Sequence, residues 1–250
     1  MYKNLPSAVA IRNELSISSE KIVEYNSDDQ LNKLSEGFVL EENAFNDLGL
    51  LISHIQYDRV TGDTLRYLNA EYDPEGKIIT LRDEINRNIF LYTYTYSGSI
   101  LKEIENLKIS LNGEFILPPS QVIYDSDGNL QRIEYSGEVI GENKTLVFYE
   151  NNRPVKVHFW YGDIVEVFYT ETGQLSEINY IYDREVEAIE VFDYSDGRVV
   201  KSDYISKEIE LEIFYFYDVT GLVTRKLKTS TVYDTYMPGP LLIEHYYDTN

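Results

Sequence analysis

The side chains able to do acid–base or metal chemistry here are three histidines and 43 carboxylates, and the chain has no cysteine. Without thiols there is no disulfide, no thiolate zinc site and no cysteine nucleophile. His54, His158 and His245 are far apart in sequence, each inside a segment of alternating apolar residues. None has a second ligand at metal spacing, and the H-E-x-x-H pattern is absent. All three are therefore expected on the surface of a sheet. Asp125-Ser126-Asp127-Gly128-Asn129 imitates part of a calcium loop, but its glycine comes two places early and no bidentate glutamate follows. A hairpin turn accounts for it better, and the same holds for Asp193 with Asp196-Gly197. No phosphate-cradling glycine loop or G-x-S-x-G elbow occurs. A catalytic carboxylate pair is defined by spatial separation, so an abundance of Asp and Glu carries no weight. No catalysis, no metal and no cofactor are expected.

What the side chains could do is recognise a partner. His158 is followed by Phe159, Trp160 and Tyr161. Trp160 and Tyr161 read either as an aromatic strand or as a recognition hot spot. Tyr92, Tyr94 and Tyr96 form a second aromatic strip by period-two alternation, and Glu208, Glu210 and Glu212 form an acidic one.

A recurring tyrosine–turn–glycine unit must position these strips. It is clearest at Tyr72-Asp73-Pro74-Glu75-Gly76, Tyr124-Asp125-Ser126-Asp127-Gly128 and Tyr217-Asp218-Val219-Thr220-Gly221. Tyr169 to Gly173 keeps the spacing with Asp replaced. An aliphatic residue stands two places after each glycine: Ile78, Leu130, Leu175 and Val223. Gly49, Gly98 and Gly197 mark further turns. Tyr149 to Pro154 is a degenerate copy with Arg153 where glycine is expected, and Tyr25 to Leu31 and Phe45 to Gly49 read as others. A period of roughly 20–30 residues suits a hairpin per repeat. Between turns the alternation is strict, as in Glu208-Ile209-Glu210-Leu211-Glu212-Ile213, which marks antiparallel strands. The expected fold is all-β, a large twisted or curled antiparallel sheet of repeated hairpins over residues 25–250. Residues 1–24 are expected as a cap on its first edge. Each turn tyrosine is expected to stack on its counterpart in the next hairpin, with its hydroxyl in water.

Composition bounds the partners. Lys and Arg number 22, so the formal net charge is −21. Such a field repels phosphate backbones and anionic lipid while attracting basic proteins. Neither nucleic acid nor membrane is therefore an expected partner. No run approaches the roughly 20 apolar residues of a membrane helix. The N-terminal apolar stretch Ala8–Ile11 is closed by Arg12 and Glu14 before a signal-peptide core forms. A cytoplasmic location is expected.

The unit Tyr-Asp-x-x-Gly-x-Leu/Ile/Val at this interval resembles the YD repeat of RHS-type proteins over residues 25 to 250. That resemblance implies long, twisted antiparallel sheet, which in very large members closes into a shell around a toxin. This chain is too short to enclose such a cargo and looks like a small free-standing relative. By size, charge and architecture it also resembles the immunity partners of bacterial polymorphic toxins. The functional expectation is a non-catalytic protein-binding protein, most concretely an immunity protein that neutralises a basic toxin. Its contacts are expected at Trp160, Tyr161, Tyr92, Tyr94, Tyr96, Glu208, Glu210 and Glu212. The alternatives are a structural YD-repeat scaffold and a carbohydrate-binding surface.

Overall fold

The computed structural model describes residues 6–28, 30–110, 113–135, 144–159, 161–230 and 239–249. It begins with helix α1 (Pro6–Glu14), started by a proline at its first position and ended where Ser16 turns left-handed at φ 52°. Strand β1 (Ile17–Asn26) follows. Eight hairpins come next: β2–β3 (Phe38–Phe45, Leu51–Tyr57), β4–β5 (Thr64–Tyr72, Ile78–Ile85), β6–β7 (Asn88–Ser97, Ile100–Ser110) and β8–β9 (Gly113–Tyr124, Leu130–Tyr135). The second four are β10–β11 (Lys144–Glu150, Arg153–His158), β12–β13 (Ile164–Tyr169, Leu175–Tyr182), β14–β15 (Glu185–Ser195, Arg198–Ser206) and β16–β17 (Glu210–Tyr217, Val223–Ser230). Strand β18 (Leu241–Thr249) is the last described element.

Every strand pairs antiparallel with its neighbours in sequence, and β1 pairs with both β2 and β18. The expected open, curled sheet is thus a closed 18-stranded barrel. An open sheet of this length would expose two unpaired edges, and closure removes both.

The repeat is more regular in space than in sequence. In all eight hairpins the ladder takes one extra residue on the outgoing strand just as it reaches the turn aromatic: Phe45, Tyr72, Tyr96, Tyr124, Tyr149, Tyr169, Tyr194 or Tyr217. Such irregularities sharpen twist and help a sheet to curl. The Tyr25–Leu31 stretch is not a ninth copy. It leaves β1 at the opposite mouth, so it is out of phase with the repeat turns.

Inside the turns the Asp or Asn at the second position bonds the turn backbone. Asp73 Oδ1 accepts the amides of Glu75 and Lys77, and Asp125 Oδ1 those of Asp127 and Asn129. Asn46 and Asp218 repeat the arrangement. The glycine then takes positive φ, 82° at Gly76 and 85° at Gly128, where a side chain would be strained. The degenerate turn manages with Asn151 and Asn152 at φ 50° and 59°, asparagine being among the few residues that tolerate this region.

At three of the turns the tyrosine hydroxyl is bonded to backbone rather than left in water: Tyr72, Tyr169 and Tyr217, and likewise Tyr247 of β18, donate to the carbonyls of Leu51, Pro154, Val199 and Val223, at 2.8 to 2.9 Å. Each acceptor stands second after the left-handed residue of the preceding turn. The residue between them leans onto the next turn. Arg153 covers the Tyr169 ring and Arg198 the Tyr217 ring, with 5.5 and 5.6 Å to the centroids. Lys77 reaches Gly98 O at 3.1 Å, and Asn129 reaches Asn152. A guanidinium over the ring face meets its negative quadrupole, whereas ring-on-ring stacking would leave the next carbonyl unpaired.

Alternation around the closed sheet separates two walls. Through successive registers Glu20, Asn43, His54, Leu68, Asp83 and Phe90 share the inner one. Curvature crowds that side, so Ala70, Asp83, Thr145, Ile178, Ala188 and Ser202 are buried there. The lumen is nonetheless roomy. Eighteen strands about 4.8 Å apart and tilted about 40° set a backbone diameter of roughly 35 Å for a circular section. The chain exposes 15577 Å², against roughly 11,000 Å² for a compact protein of its mass.

Tyr217→Phe is expected to lower unfolding free energy by about 1 kcal/mol in denaturant titrations, the net worth of one hydrogen bond. Hydrogen bonds from the Asn129 amide foremost, and from Asp127 and Gly128, hold the Asp125 carboxyl below the ordinary aspartate value. A depressed folded pKa contributes stability that is present above the unfolded pKa and lost on acidification. The stability advantage of the parent over Asp125→Asn should therefore be full above about pH 5 and fade as pH falls below about 3.9.

Candidate functional site

The mouth bearing the repeat turns is where the two ends of the chain meet. Glu20 of β1 sits on the inner wall between His245 and Asn43. His245 Nδ1 lies 2.8 Å from Glu20 Oε1, and Asn43 Nδ2 donates to Glu20 Oε2 at 3.1 Å. Asn43 Oδ1 then meets His54 Nδ1 at 2.8 Å, and Glu41 stands 3.9 Å from that nitrogen. Above them α1 lays Arg12 across the Phe45 ring, 4.2 Å to the centroid, with Nε donating to Gly49 O at 2.9 Å. A cleft of about 460 Å³ separates helix and wall. Ile11, Ile22, Leu222 and Val223 line it together with Arg12, Glu20, Lys226, His245 and Tyr247.

Electrostatics make this node a tight one. Burial lowers the Arg12 pKa, opposed by the Glu20 charge. Burial, followed by the Glu20 carboxylate, pushes the Tyr247 phenol well above its ordinary range. Two of the histidines expected on a sheet surface are thus interior, their side chains only 16% and 6% exposed for His54 and His245. They are brought to one network by β1, β2, β3 and β18. Only the closure of β18 onto β1 places His245 beside Glu20, 225 residues away, which is why no sequence spacing announces it. His158 lies on the outer wall of β11, paired with Leu146 and Ile164. Among the described residues no group of three or more His, Asp and Glu is arranged to hold a metal ion.

A second inner cluster spans β13 to β16, separated from β18 by β17 alone. Tyr180 donates to Glu190 at 3.4 Å and is tilted against Tyr204, while Ser202 and Tyr215 share a 3.2 Å hydrogen bond. Burial raises the pKa of both Glu190 and Tyr215.

The sequence-predicted contacts fall in three different places. Tyr92, Tyr94 and Tyr96 line the lumen on β6, with Phe90 stacked on Tyr92 at 6.4 Å. Burial, then neighbouring phenols, pushes the Tyr94 pKa up to about 12. Glu208 lies in the β15–β16 turn, and Glu210 and Glu212 on the outer wall of β16. Lys201 bridges Glu212 at 2.6 Å and holds its carboxyl low. Tyr161 is exposed at the mouth opposite α1, stacked on Phe159 at 5.4 Å. Trp160 lies outside the described residues. The structure therefore does not unite these strips into one patch.

The walls also differ in charge. On the inner wall and α1, Glu14, Glu20, Glu24, Glu41, Asp83 and Glu190 stand against Arg12, Arg66, Lys108, Lys226 and Lys228, a near balance among the described residues. The excess acid is consequently carried by the outer wall and the turns. Outside, cross-strand pairs such as Lys21–Glu42, Lys156–Glu166 and Lys201–Glu212 sit in mid-strand. A lipid-spanning barrel carries an apolar belt at that level.

No protein-family model matches the chain. No curated protein matches it. Among solved structures, the TcdB2-TccC3-Cdc42 crystal structure aligns with 84% of this chain at 12% identity and a TM-score of 0.37, and this chain spans only 14% of that one. A porin-like protein from Bacteroides uniformis ATCC 8492 aligns over 94% of this chain and 97% of its own at 10% identity, with a TM-score of 0.47. Both likenesses are too distant to carry an argument about function.

Glu20→Ala is expected to cost about 2–4 kcal/mol in chemical unfolding, because it strands buried polar partners on two other strands. Glu208→Ala, on an exposed turn, should stay within about 0.5 kcal/mol of the parent.

Proposed function

We propose that this chain is a non-catalytic protein-binding barrel, a relative of the YD-repeat proteins, that acts as an immunity protein against a basic toxin in the cytoplasm. The observation that carries this reading is the segregation of charge. A near-balanced interior leaves the excess acid of a −21 chain on the surfaces a partner would meet. Such a field accelerates encounter with a cationic protein and discourages nucleic acid and anionic lipid. The charged mid-strand pairs of the outer wall argue against a membrane-spanning role. A second reading, carbohydrate binding, is favoured by the tyrosines that line the lumen, whose flat faces and hydroxyls suit sugar rings.

Pull-down from the native cell extract at low and high salt tests the proposal. One stoichiometric basic protein, released as salt rises, is the expected result. Retention on a glycan array without any protein partner would instead favour the second reading. With the recovered partner, Glu208→Lys, Glu210→Lys and Glu212→Lys together should lower the association rate by roughly tenfold or more while leaving thermal unfolding almost unchanged. An unaltered rate would remove the steering role of that strip.

A further inference from the structure

At the mouth opposite α1, three adjacent hairpin connections carry large apolar side chains into solvent. Tyr161 is 53% exposed, Tyr182 61%, Val186 46%, Ile205 44% and Ile209 43%. Single exposed apolar residues are ordinary, and Val60 and Val219 are two of them here. These five are different because they crowd one stretch of the rim, Tyr182 on its lumen side and Val186 and Ile205 on its outer side. Ile164 pairs with Ile181, which sets Tyr161, Gly162 and Asp163 beside Tyr182. Val186 pairs with Ile181, Ile189 with Ile205, and Ser206 N donates to Ile209 O at 2.8 Å. From β12 to β16 the arc spans roughly 20 Å of rim.

Acid surrounds it. Asp183, Glu185, Glu187, Glu208 and Glu210 stand against Arg184 and Lys207, five negative charges to two positive. Lys207 is already engaged, bridging Glu185 and Glu187 at 3.1 and 3.0 Å. That bridge also ties the β15–β16 connection to β14. The loops beneath are tightly bonded rather than adaptable. Asp183 and Arg184 form a two-residue turn with φ 47° and 69°. Gly162 N donates to Phe159 O at 3.0 Å, and Ser206 Oγ accepts the Ile209 amide at 3.0 Å. An apolar centre, an acidic margin and a preformed backbone are what a protein-docking surface needs to bind without a large ordering cost.

We propose that this arc of the rim is the docking surface for a basic protein segment that places apolar side chains between its lysines or arginines. The proposal rests on the protein-binding reading above and locates its contact. Charge chooses the occupant: the local excess of carboxylates repels an acidic segment and a second copy of this chain alike.

The test uses the full chain and two fluorescein-labelled peptides, one alternating lysine with leucine and tryptophan, the other alternating lysine with serine. Anisotropy titrations should show the apolar peptide binding about tenfold more tightly than its charge-matched control. Tyr182→Ser combined with Ile209→Ser should erase that difference, and Val60→Ser combined with Val219→Ser should preserve it. Thermal unfolding of each variant establishes that the barrel is intact, and Tyr161→Ser provides a second arc variant should the first pair fail to fold. Equal binding of the two peptides, or a preference that survives the arc substitutions, would overturn the proposal. The pull-down separates the two levels. If a basic partner is recovered equally well by parent and arc variant, the site is wrong and the function stands. If the peptide preference depends on the arc but no basic protein is recovered, the surface stands and the immunity reading falls.

Discussion

Eight hairpins laid side by side leave two unpaired edges, and everything in this protein depends on how those edges are joined. The first and last strands join them. β1 and β18 are too far apart in sequence for any local rule to pair them, yet β1 bonds to β18 on one side and β2 on the other. Glu20 is the polar centre of that seam, with His245 on one side and Asn43 on the other. Residues 30–37 close the seam from outside. Lys33 bridges Glu244 at 2.6 Å and sits over the Tyr25 ring at 4.1 Å, while Leu242 and Val23 lie buried on the outer wall. A neutral side chain at position 20 would leave these partners unmatched in a region of low effective dielectric, where an unpaired polar group is most costly.

Between the seams the barrel is held by a short-range device used repeatedly. Each turn aromatic sits where the ladder takes an extra residue, and several tyrosines bond the backbone beyond the preceding turn. The residue just after that turn's left-handed position leans across to meet the next turn. Such a device stabilises neighbours without a thick core, which suits a wall with a broad lumen on one side and water on the other. It also explains why leucine, lysine, asparagine and arginine all occupy that post-turn position. The requirement is reach across one hairpin, met by packing, a hydrogen bond or a cation over a ring.

Closure also decides what each strip of side chains can do. Tyr92, Tyr94 and Tyr96 alternate in sequence much as the three glutamates at 208, 210 and 212 do, yet closing the sheet turns the tyrosines inward and two of the glutamates outward. Near-balance inside and excess acid outside follow from the same division. A closed barrel thereby presents its charge to partners as one continuous field rather than as two faces of a sheet.

The sequence by itself determined the local structure: strands from period-two alternation, turn positions from glycines that need positive φ, and acid side chains that bond the turn amides. These are properties of a few consecutive residues, so they are legible in the order of residues. It also nominated Trp160, Tyr161, Tyr92, Tyr94, Tyr96, Glu208, Glu210 and Glu212 as contacts, without deciding which wall each would occupy. Only the tertiary structure decided closure, because the pairing of β1 with β18 spans the whole chain and carries no local signature. For the same reason it alone brought His245, Glu20, Asn43 and His54 into one network, and it alone assembled Tyr161, Tyr182, Val186, Ile205 and Ile209 into an arc. The stagger of successive hairpins set those contacts, and stagger is a property of neighbouring repeats rather than of any one of them.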